Sequence, residues 1–300
     1  MISILTSIKL SGIQICKSLK NPRAKTLIKP YFKPCLQNKS GDIIKPMDCI
    51  ANTIFIENLS KCNSIYKLYS EEEEYGININ SSGEYIVAFD PLDGSDNIDI
   101  NNPTGSLFCI FKKEEICGKN IIASGYIYYG NTLQLVIAMG GVVNMYNYSD
   151  VVDMFVHENS EFYDDTMDLP KIKIPYSGTT YSNNDGNNYK MYNSKIKDFI
   201  DVMMWTKNLR YSGCLVADLH RLLFRGGCFI YPENNKDRYG KIRLLYEAYP
   251  AAHIIETAGG FSRFDDTTAS ILDIRLNDIH QKTPIILMSN SEKEIYDSLK

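Results

Sequence analysis

The chain has 300 residues, of which 44% are hydrophobic and 23% are charged. These fractions exclude a disordered, collagen-like or coiled-coil chain, and the length suits two domains of about 150 residues or one large domain. The formal net charge of −4 is unevenly spread, because residues 1–41 hold eight basic side chains and no acidic one, whereas the remainder holds 24 basic and 36 acidic residues.

The first predicted element is a helix from about Ile2 to Leu19, because apolar side chains recur near one face. Three explanations compete for the basic charge of this region. A transit peptide usually favours Arg and Ser, whereas seven of the eight charges are Lys, and an acidic body disfavours a nucleic-acid arm. We favour a helix with a solvated basic face. No apolar run reaches the roughly 18 residues of a membrane span.

A second helix is predicted within residues 43–59, with Asp48 inside it or at its first turn. The apolar run Tyr85–Phe89 indicates a buried strand that stops at Asp90. Ile121–Ala138 mixes aliphatic residues with glycine and aromatics, which indicates two further strands. The first half therefore combines helices with a sheet.

A polar stretch at 158–194 marks the predicted domain boundary, near Lys171. Beyond it, Val216–Phe224 and Pro250–Ala258 are predicted helices, each followed by a pair of glycines that suits a helix C-terminus. Strands and helices on both sides of the boundary predict a layered α/β protein.

The cysteines show no CxxC pair and no zinc-finger spacing with the four histidines, so a zinc site is improbable. Scattered cysteines in a large core usually behave as small apolar residues in a reducing compartment. We therefore expect a cytoplasmic protein.

The segment Asp90-Pro91-Leu92-Asp93-Gly94-Ser95 directly follows the predicted buried strand. A plain β-turn explains its composition but not its place at a strand end, where α/β proteins bind ligands. Two aspartates held so close together repel each other unless a cation lies between them, and oxygen ligands suit Mg²⁺ or Mn²⁺. Backbone N–H groups at Gly94 and Ser95 would bind a phosphate if a helix follows.

Two more acidic groups are candidates for the same site. Four consecutive glutamates at 71–74 usually form a solvated, self-repelling face on composition alone, yet they lie about one strand length upstream of the aspartates. Glu247 follows an apolar run and precedes the Pro250 helix, where it can be either a site carboxylate or a favourable acid at a helix N-terminus.

DPLDGS at 90–95 and EAYPAAHIIETAGG at 247–260 resemble the two signatures of the lithium-sensitive phosphomonoesterase superfamily, which includes the inositol monophosphatases. The chain resembles class I fructose-1,6-bisphosphatases more closely, in the family's order and with similar spacing from about residue 8 onward. The segments that carry this resemblance are GDIIKPMD (41–48), YSEEE (69–73), YIVAFDPLDGSDNID (85–99), RYSGCLVADLHR (210–221), FIYP (229–232) and GKIRLLYE (240–247).

The resemblance implies the sugar-phosphatase fold, an α-β-α-β-α sandwich. It also implies an N-terminal domain at 1–170, with most metal ligands and the family's regulatory region, and a sugar-phosphate-binding domain at 171–300. The implied ligands of the divalent metals are Glu71, Asp90, Asp93, Glu247, the Leu92 carbonyl and, at a further metal, Asp42. Asp48 and Glu72 match the acids that orient and deprotonate the attacking water.

The same resemblance implies that Gly94 and Ser95 hold the leaving phosphate. Residues that match those holding the sugar and its 6-phosphate are Asn184, Tyr211, Tyr231 and Lys241. Arg210 matches an arginine that reaches into the neighbouring subunit's site, which implies a homodimer or homotetramer. A monophosphatase would have no use for this second, basic half of the site.

The chain departs from the family pattern in several places. Asp96 replaces a small residue, and is expected either to contact a metal or to weaken substrate binding. Asn187 replaces a phosphate-binding tyrosine, for which Tyr189 is a candidate substitute. The chain begins after most of the segment that binds AMP in regulated members. Tyr85 matches one remaining AMP contact, whereas Lys112 stands in place of an arginine, so we expect weak or absent AMP inhibition.

The expected function is Mg²⁺-dependent hydrolysis of fructose 1,6-bisphosphate to fructose 6-phosphate and phosphate, a step of gluconeogenesis. Phosphate-ester hydrolysis needs mainly charge neutralisation and an aligned water, which clustered cations and carboxylates supply. Sedoheptulose-1,7-bisphosphatase activity is the alternative within this class. A non-catalytic sugar-phosphate sensor on the same fold is the alternative from another class.

Overall fold

Helices and sheets alternate through the computed structural model, which describes residues 1–20, 45–157, 171–184, 186, 188–234, 238–264 and 268–299. The α-helices of this part of the chain are α1 Ile2–Lys20, α2 Pro46–Leu59, α3 Ser194–Thr206, α4 Leu215–Arg225, α5 Tyr249–Thr257 and α6 Asn290–Ser298. None of these described helices is long and apolar enough to span a bilayer.

The first sheet has eight strands in the order β2-β1-β3-β4-β5-β6-β7-β8. Its only parallel pair among the described strands is β1 with β3, and the remaining neighbours are antiparallel. The strands are β1 Ile65–Ser70, β2 Ile77–Asn78, β3 Tyr85–Asp93, β4 Thr104–Lys112, β5 Ile121–Tyr129, β6 Leu133–Met139, β7 Val142–Ser149 and β8 Met154–His157.

The second sheet has five strands in the order β10-β9-β11-β15-β13, and β12 and β14 form a separate antiparallel pair. These strands are β9 Thr180–Asn183, β10 Asn208–Leu209, β11 Cys228–Tyr231, β12 Ile242–Arg243, β13 Phe261–Arg263, β14 Lys282–Thr283 and β15 Ile285–Met288.

The side chains of β3 are buried on both faces because helices cover both sides of the first sheet. Val87 and Phe89 pack in one core with α1 and α2, whereas Ile86 and Ala88 pack in a second core with α4 and α5. Successive side chains of a strand point to opposite faces of the sheet, so alternate residues of β3 belong to different cores. A strand buried on both faces is apolar throughout, as the Tyr85–Phe89 run is.

The second sheet repeats this arrangement. Phe229 and Leu287 join the core that contains α4 and α5, while Ile230 and Met288 join a third core with α3 and α6. The order of layers is therefore helix, sheet, helix, sheet, helix, and the predicted α/β sandwich is confirmed.

Most predicted elements are confirmed with shifts of a few residues at their ends. The first helix spans Ile2–Lys20, and α2 begins at Pro46 with Asp48 in its first turn. The run Ile121–Ala138 forms two strands, and α4 is followed directly by Gly226, whose φ of 66° suits glycine.

The predicted end of β3 at Asp90 is wrong, because the strand continues to Asp93. Its register with β4 shifts between Asp90 and Asp93, which pair with Leu107 and Gly105. A β-bulge tolerates Pro91, since a proline lacks the N–H that a regular ladder requires. The two aspartates therefore lie on an irregular end of a central strand.

The predicted domain boundary near Lys171 falls beside residues 158–170, which lie outside the described part. All strands of the first sheet precede it and all strands of the second sheet follow it. However, α4 and α5, which also follow it, pack on the inner face of the first sheet. The layer between the two sheets is thus built by the second half of the chain.

Candidate active site

Asp90, Asp93 and Glu247 meet in the interior of the molecule. One carboxylate oxygen from each lies within 4.8 Å of the others. The exposed fractions of the three residues are only 4%, 9% and 8%. The two aspartates come from the end of β3 and the glutamate from the turn before α5, so the cluster joins the two halves of the sequence.

The irregular end of β3 orients the side chains of the two aspartates. Asp90 Oδ1 accepts the backbone N–H of Leu92 at 2.9 Å, and the Ser106 hydroxyl donates to the Pro91 carbonyl at 2.7 Å. Gly94 then reverses the chain with a φ of 73°, a conformation that glycine adopts without strain. These contacts hold both carboxylates at one end of the strand.

Asp93 is held from the other side by the first turn of α4. Its Oδ2 accepts the backbone N–H of Val216 at 2.6 Å and the thiol of Cys214 at 3.0 Å. A side chain at Gly94 would place its Cβ 2.6 Å from the Cβ of Cys214, so only glycine permits this close approach.

Glu247 lies in a π-helical turn, Leu244–Ala248, that leads into α5. Its Oε2 accepts the backbone N–H of Arg243 at 2.7 Å. The Arg243 side chain in turn places Nη1 2.7 Å from Glu71 Oε1, and both side chains are about nine-tenths buried, with exposed fractions of 8% and 11%.

The expectation that the glutamates at 71–74 form a solvated face is wrong for three of them. Glu71 pairs with Arg243, Glu73 Oε1 accepts the side-chain amide of Asn52 at 2.8 Å, and Glu72 is half-buried. Only Glu74 is exposed. The prediction from composition was wrong because these glutamates follow β1, and the end of β1 lies beside the end of β3.

The buried carboxylates of this cluster repel one another. Burial raises the pKa of Asp90 well above its usual range, and the negative charges of Glu71, Asp93 and Glu247 raise it further. Burial also raises the pKa of Asp93, against the opposing effect of its hydrogen bonds from Cys214 and Val216. A buried set of carboxylate oxygens with mutual repulsion fits a hard divalent cation.

Asp48 lies in the first turn of α2 and is only 5% exposed. Its Oδ2 accepts the backbone N–H of Lys45 at 2.8 Å, while its buried Oδ1 has no hydrogen-bond partner among the described residues. Burial raises the pKa of Asp48 to about 6. A carboxyl with such a pKa is suited to accept a proton near neutral pH.

A cleft of about 170 Å³ opens beside the carboxylate cluster. Two of the predicted metal ligands and three of the predicted sugar-phosphate residues line this cleft together. The lining residues that matter here are Asp93, Glu247, Asp218, Tyr211, Tyr231 and Lys241. Burial and the nearby Tyr231 hydroxyl raise the pKa of Tyr211, which keeps it a hydrogen-bond donor.

Gly94 and Ser95 begin a short 3-10 helix, Ser95–Ile100, so their N–H groups lie at its N-terminus. The Oδ1 atom of Asp96 lies 2.7 Å from Nζ of Lys45, and the Asp96 side chain is 94% exposed. Lys45 therefore balances the extra negative charge that the sequence places next to the predicted phosphate site.

Several predicted residues are not brought into the cleft. Arg210 is exposed and its Nη1 donates to the Leu209 carbonyl at 2.7 Å, whereas the Asn184 carbonyl accepts the Tyr192 hydroxyl at 3.0 Å. Neither residue lines the cleft. Asp42 and Asn187 lie outside the described residues.

Tyr189 is the candidate substitute for the family's phosphate-binding tyrosine, which Asn187 replaces. Its hydroxyl donates to Asp201 Oδ1 at 2.6 Å, on α3. The hydroxyl is thus already engaged within the second half of the chain.

Three residues with close contacts at the site were not predicted from the sequence. Arg243 pairs with Glu71, Cys214 donates to Asp93, and Asp218 lines the cleft. Arg243 could have been found from the sequence, because it lies in the apolar run Ile242-Arg243-Leu244. A charged residue in such a run is buried only with a partner. No comparable local signal marks Cys214.

Two family models match the chain. The model for the N-terminal domain of fructose-1-6-bisphosphatase matches residues 1–160, and the model for the C-terminal domain matches residues 174–299. Together they cover most of the 300 residues.

Curated relatives agree with these models. The chain is 38% identical over 269 residues to a class 1 fructose-1,6-bisphosphatase of Persephonella marina, with 85% of this chain and 79% of the relative covered. It is 36% identical over 270 residues to fructose-1,6-bisphosphatase 1 of Bos taurus, with 84% and 76% covered. The holo form of Leishmania major fructose-1,6-bisphosphatase superposes with a TM-score of 0.86 at 31% identity, covering 98% of this chain and 92% of that one.

Proposed function

The chain belongs to the fructose-1,6-bisphosphatase family, and we propose that it hydrolyses the 1-phosphate of fructose 1,6-bisphosphate to give fructose 6-phosphate and phosphate. The observation that carries this proposal is the cleft that Asp93 and Glu247 line together with Tyr211, Tyr231 and Lys241. An acidic part suits cations at the scissile phosphate, and a basic part suits a second phosphate.

Members of this family require a divalent metal, and we propose Mg²⁺, with Mn²⁺ as a substitute. The proposed ligands are the carboxylates of Asp90, Asp93, Glu247 and Glu71, with the Leu92 carbonyl and, at a further metal, Asp42. Such cations supply charge neutralisation on the phosphate oxygens and a more acidic water. The first-turn N–H of Val216 keeps the Asp93 carboxylate oriented toward the cleft.

Asp48 and Glu72 are the proposed acids that orient and deprotonate the attacking water. The raised pKa of Asp48, about 6, and its buried Oδ1 support this role. A base whose pKa lies near the working pH combines a large deprotonated fraction with useful proton affinity. The backbone N–H groups of Gly94 and Ser95 would donate hydrogen bonds to the oxygens of the leaving phosphate.

The sugar and its 6-phosphate would lie against Tyr211, Tyr231 and Lys241, which line the cleft. Asn184, which does not line it, is proposed as a sugar-phosphate residue from the family resemblance alone. The tyrosine hydroxyls donate to phosphate or sugar oxygens, and the Lys241 ammonium supplies the charge. All three side chains line the same cleft as Asp93.

Arg210 is proposed to act in the site of a second subunit, in a homodimer or homotetramer. Its exposure and its absence from the described lining of its own cleft support this role. We also propose a cytoplasmic location, which suits the seven free cysteines of the described part of the chain, and domains divided near residue 170.

The test is phosphate release from fructose 1,6-bisphosphate, sedoheptulose 1,7-bisphosphate and inositol monophosphate, each with and without Mg²⁺. We expect Mg²⁺-dependent release that is fastest with fructose 1,6-bisphosphate. Preference for the seven-carbon sugar would favour the sedoheptulose alternative. Binding of either bisphosphate without release from any substrate would favour the sensor and refute the enzyme.

A further inference from the structure

Asn52, on the same face of α2 as Asp48, contacts the turn that carries the glutamates at 71–74. The two residues are four positions apart, so their side chains lie one above the other on the helix. Both are buried, with exposed fractions of 5% for Asp48 and 8% for Asn52. The helix that carries one of the two acids proposed to act on water thus also presents a buried amide to the segment of the other, Glu72.

Both ends of the Asn52 amide are engaged with this turn. Its Nδ2 donates to Glu73 Oε1 at 2.8 Å, and its Oδ1 accepts the Ser70 hydroxyl at 2.7 Å. An ionised carboxylate only accepts hydrogen bonds, so the amide nitrogen must face Glu73 and the amide oxygen must face Ser70. The Ser70 oxygen, whose proton is directed at Asn52, accepts the backbone N–H of Glu72 at 3.3 Å. A continuous chain of hydrogen bonds therefore runs from α2 to the backbone of Glu72.

The same turn is held on other sides by contacts that do not involve α2. The backbone N–H of Glu71 donates to the Phe89 carbonyl at 3.1 Å, on the neighbouring strand β3. His280 Nε2 lies 3.1 Å from the Glu73 carbonyl oxygen. Burial lowers the pKa of His280, so its ring is neutral, and Nε2 donates because a carbonyl oxygen only accepts. Glu72 thus lies between two neighbours that are both anchored, one of them through Asn52.

We propose that Asn52 is a positioning residue, which holds the glutamate turn against α2 so that Glu72 and Asp48 act on the same attacking water. This inference rests on the proposed function. Asn52 acts through its hydrogen bonds to Ser70 and Glu73. A general base works only within hydrogen-bond reach of the proton that it abstracts, and a misplacement of about 1 Å can lower a rate by about 10²-fold.

The first test replaces Asn52 with leucine, which has a similar volume and makes neither hydrogen bond. We expect kcat for phosphate release from fructose 1,6-bisphosphate to fall by about 10²-fold. KM should stay within about twofold of the wild type, because the residues that line the cleft are unchanged.

Asn58 provides a matched control on the same helix. It is 3% exposed, and its Nδ2 donates to Ser11 Oγ at 3.1 Å and to Gln14 Oε1 at 2.8 Å, both on α1. Asn58→Leu removes buried hydrogen bonds as Asn52→Leu does, so both variants should lower the midpoint of urea denaturation. Only Asn52→Leu should lower kcat.

The second test reverses the polarity of one hydrogen bond. Asn52→Asp alone places two carboxylates at the 2.8 Å contact with residue 73 and should also lower kcat. The double variant Asn52→Asp/Glu73→Gln restores a donor and an acceptor at this contact and leaves an acceptor for Ser70. Assayed at pH 8, it should regain about tenfold or more of the kcat that Asn52→Asp loses.

The third test asks whether Asn52 acts through Glu72. Glu72→Gln should lower kcat by itself, and adding Asn52→Leu should cause less than about a twofold further loss, because residues that act as a unit are not additive. Mn²⁺ binding to the substrate-free chain, measured by electron paramagnetic resonance, gives the number of intact sites without turnover. Asn52→Leu should bind as many Mn²⁺ ions per chain as the wild type, which separates misplacement of an acid from loss of folded protein.

Several results would overturn the proposal. These are an unchanged kcat in Asn52→Leu, an equal loss of kcat in Asn58→Leu, no recovery in the double variant Asn52→Asp/Glu73→Gln, or a fully additive loss with Glu72→Gln. A loss of Mn²⁺ sites that matches the loss of kcat would show a structural role only. If the wild type releases no phosphate from any substrate, the proposed function fails and the role of Asn52 with it, whereas a normal kcat in Asn52→Leu refutes only the latter.

Discussion

The carboxylate of Asp93 accepts the backbone N–H of Val216 at 2.6 Å. The first residue ends a strand of the eight-stranded sheet, and the second lies in the first turn of α4, more than 120 residues later. A candidate metal ligand is thus oriented by a helix from the other half of the chain. The integrity of the site therefore depends on how the two halves pack together.

Replacing Asp93 with asparagine should abolish phosphate release at saturating Mg²⁺, because the amide retains an acceptor for Val216 but loses the charge that binds a cation. Arg210→Ala should instead mainly raise KM. Steady-state kinetics over a range of Mg²⁺ concentrations measures both. The exposed Asp198 gives the control Asp198→Asn. Wild-type turnover in Asp93→Asn would mean that the metal assignment is wrong.

Replacing Asp48 with asparagine should lower kcat by ~10²–10⁴-fold, the usual contribution of a general base. In the wild type, kcat/KM should fall as the pH decreases through about 6, because protonation removes the basic form of Asp48. Bound cations would shift this limb to lower pH. Asp273→Asn, at a residue that pairs with Lys119 on the surface, should have normal kinetics. An unchanged kcat in Asp48→Asn would exclude it as the base.

The buried pair Lys207–Glu292 should be essential for stability. Their side chains are 7% and 0% exposed, and one Glu292 oxygen has no hydrogen-bond partner among the described residues. Lys207→Met leaves a buried carboxylate without its cation, which should lower the free energy of unfolding by ~3–5 kcal/mol. Urea denaturation measures this change. The double variant Lys207→Met/Glu292→Gln should recover part of it, and a loss below about 1 kcal/mol in the single variant would contradict the argument.

Two buried histidines should make the metal-free protein less stable in acid. Burial lowers the pKa of His220 and of His253 from 6.5 to about 4. Between these values the unfolded chain binds protons that the folded chain does not, so this contribution to stability is complete above pH 6.5 and is lost as the pH falls toward 4. At pH 5 the loss is about 2 kcal/mol per histidine.

Thermal unfolding at pH 7.5 and pH 5 checks this prediction. His253 Nδ1 lies 2.8 Å from the Ser124 hydroxyl, and His253→Asn should reduce the difference between the two pH values by about half. An equal difference in the variant and the wild type would show that other groups cause it.

AMP should inhibit phosphate release weakly or not at all. The family resemblance connects Tyr85 and the position of Lys112 with AMP contacts, and these residues pair across β3 and β4. A lysine provides a point charge where an arginine would give two parallel hydrogen bonds to phosphate. Inhibition curves with AMP measure the response, and half-maximal inhibition at micromolar AMP would contradict the expectation.

Local sequence patterns predicted the elements that depend on local physics. The apolar spacing of residues 2–19 predicted α1, and the paired glycines marked the ends of α4 and α5. The DPLDGS segment predicted that Asp90 and Asp93 approach each other, because proline and glycine restrict the backbone over only a few residues. Glu247 required the family resemblance, since no local pattern relates it to residues 150 positions earlier.

The tertiary structure alone decided which charges meet. The Glu71–Arg243 pair and the contact of Cys214 with Asp93 both join segments that are distant in sequence. Their geometry follows from how α4 and α5 pack between the two sheets, and packing of this kind leaves no periodic pattern in the sequence. The acidic body seen in the sequence thus contains a buried cluster of carboxylates, whose meeting point was visible only in the fold.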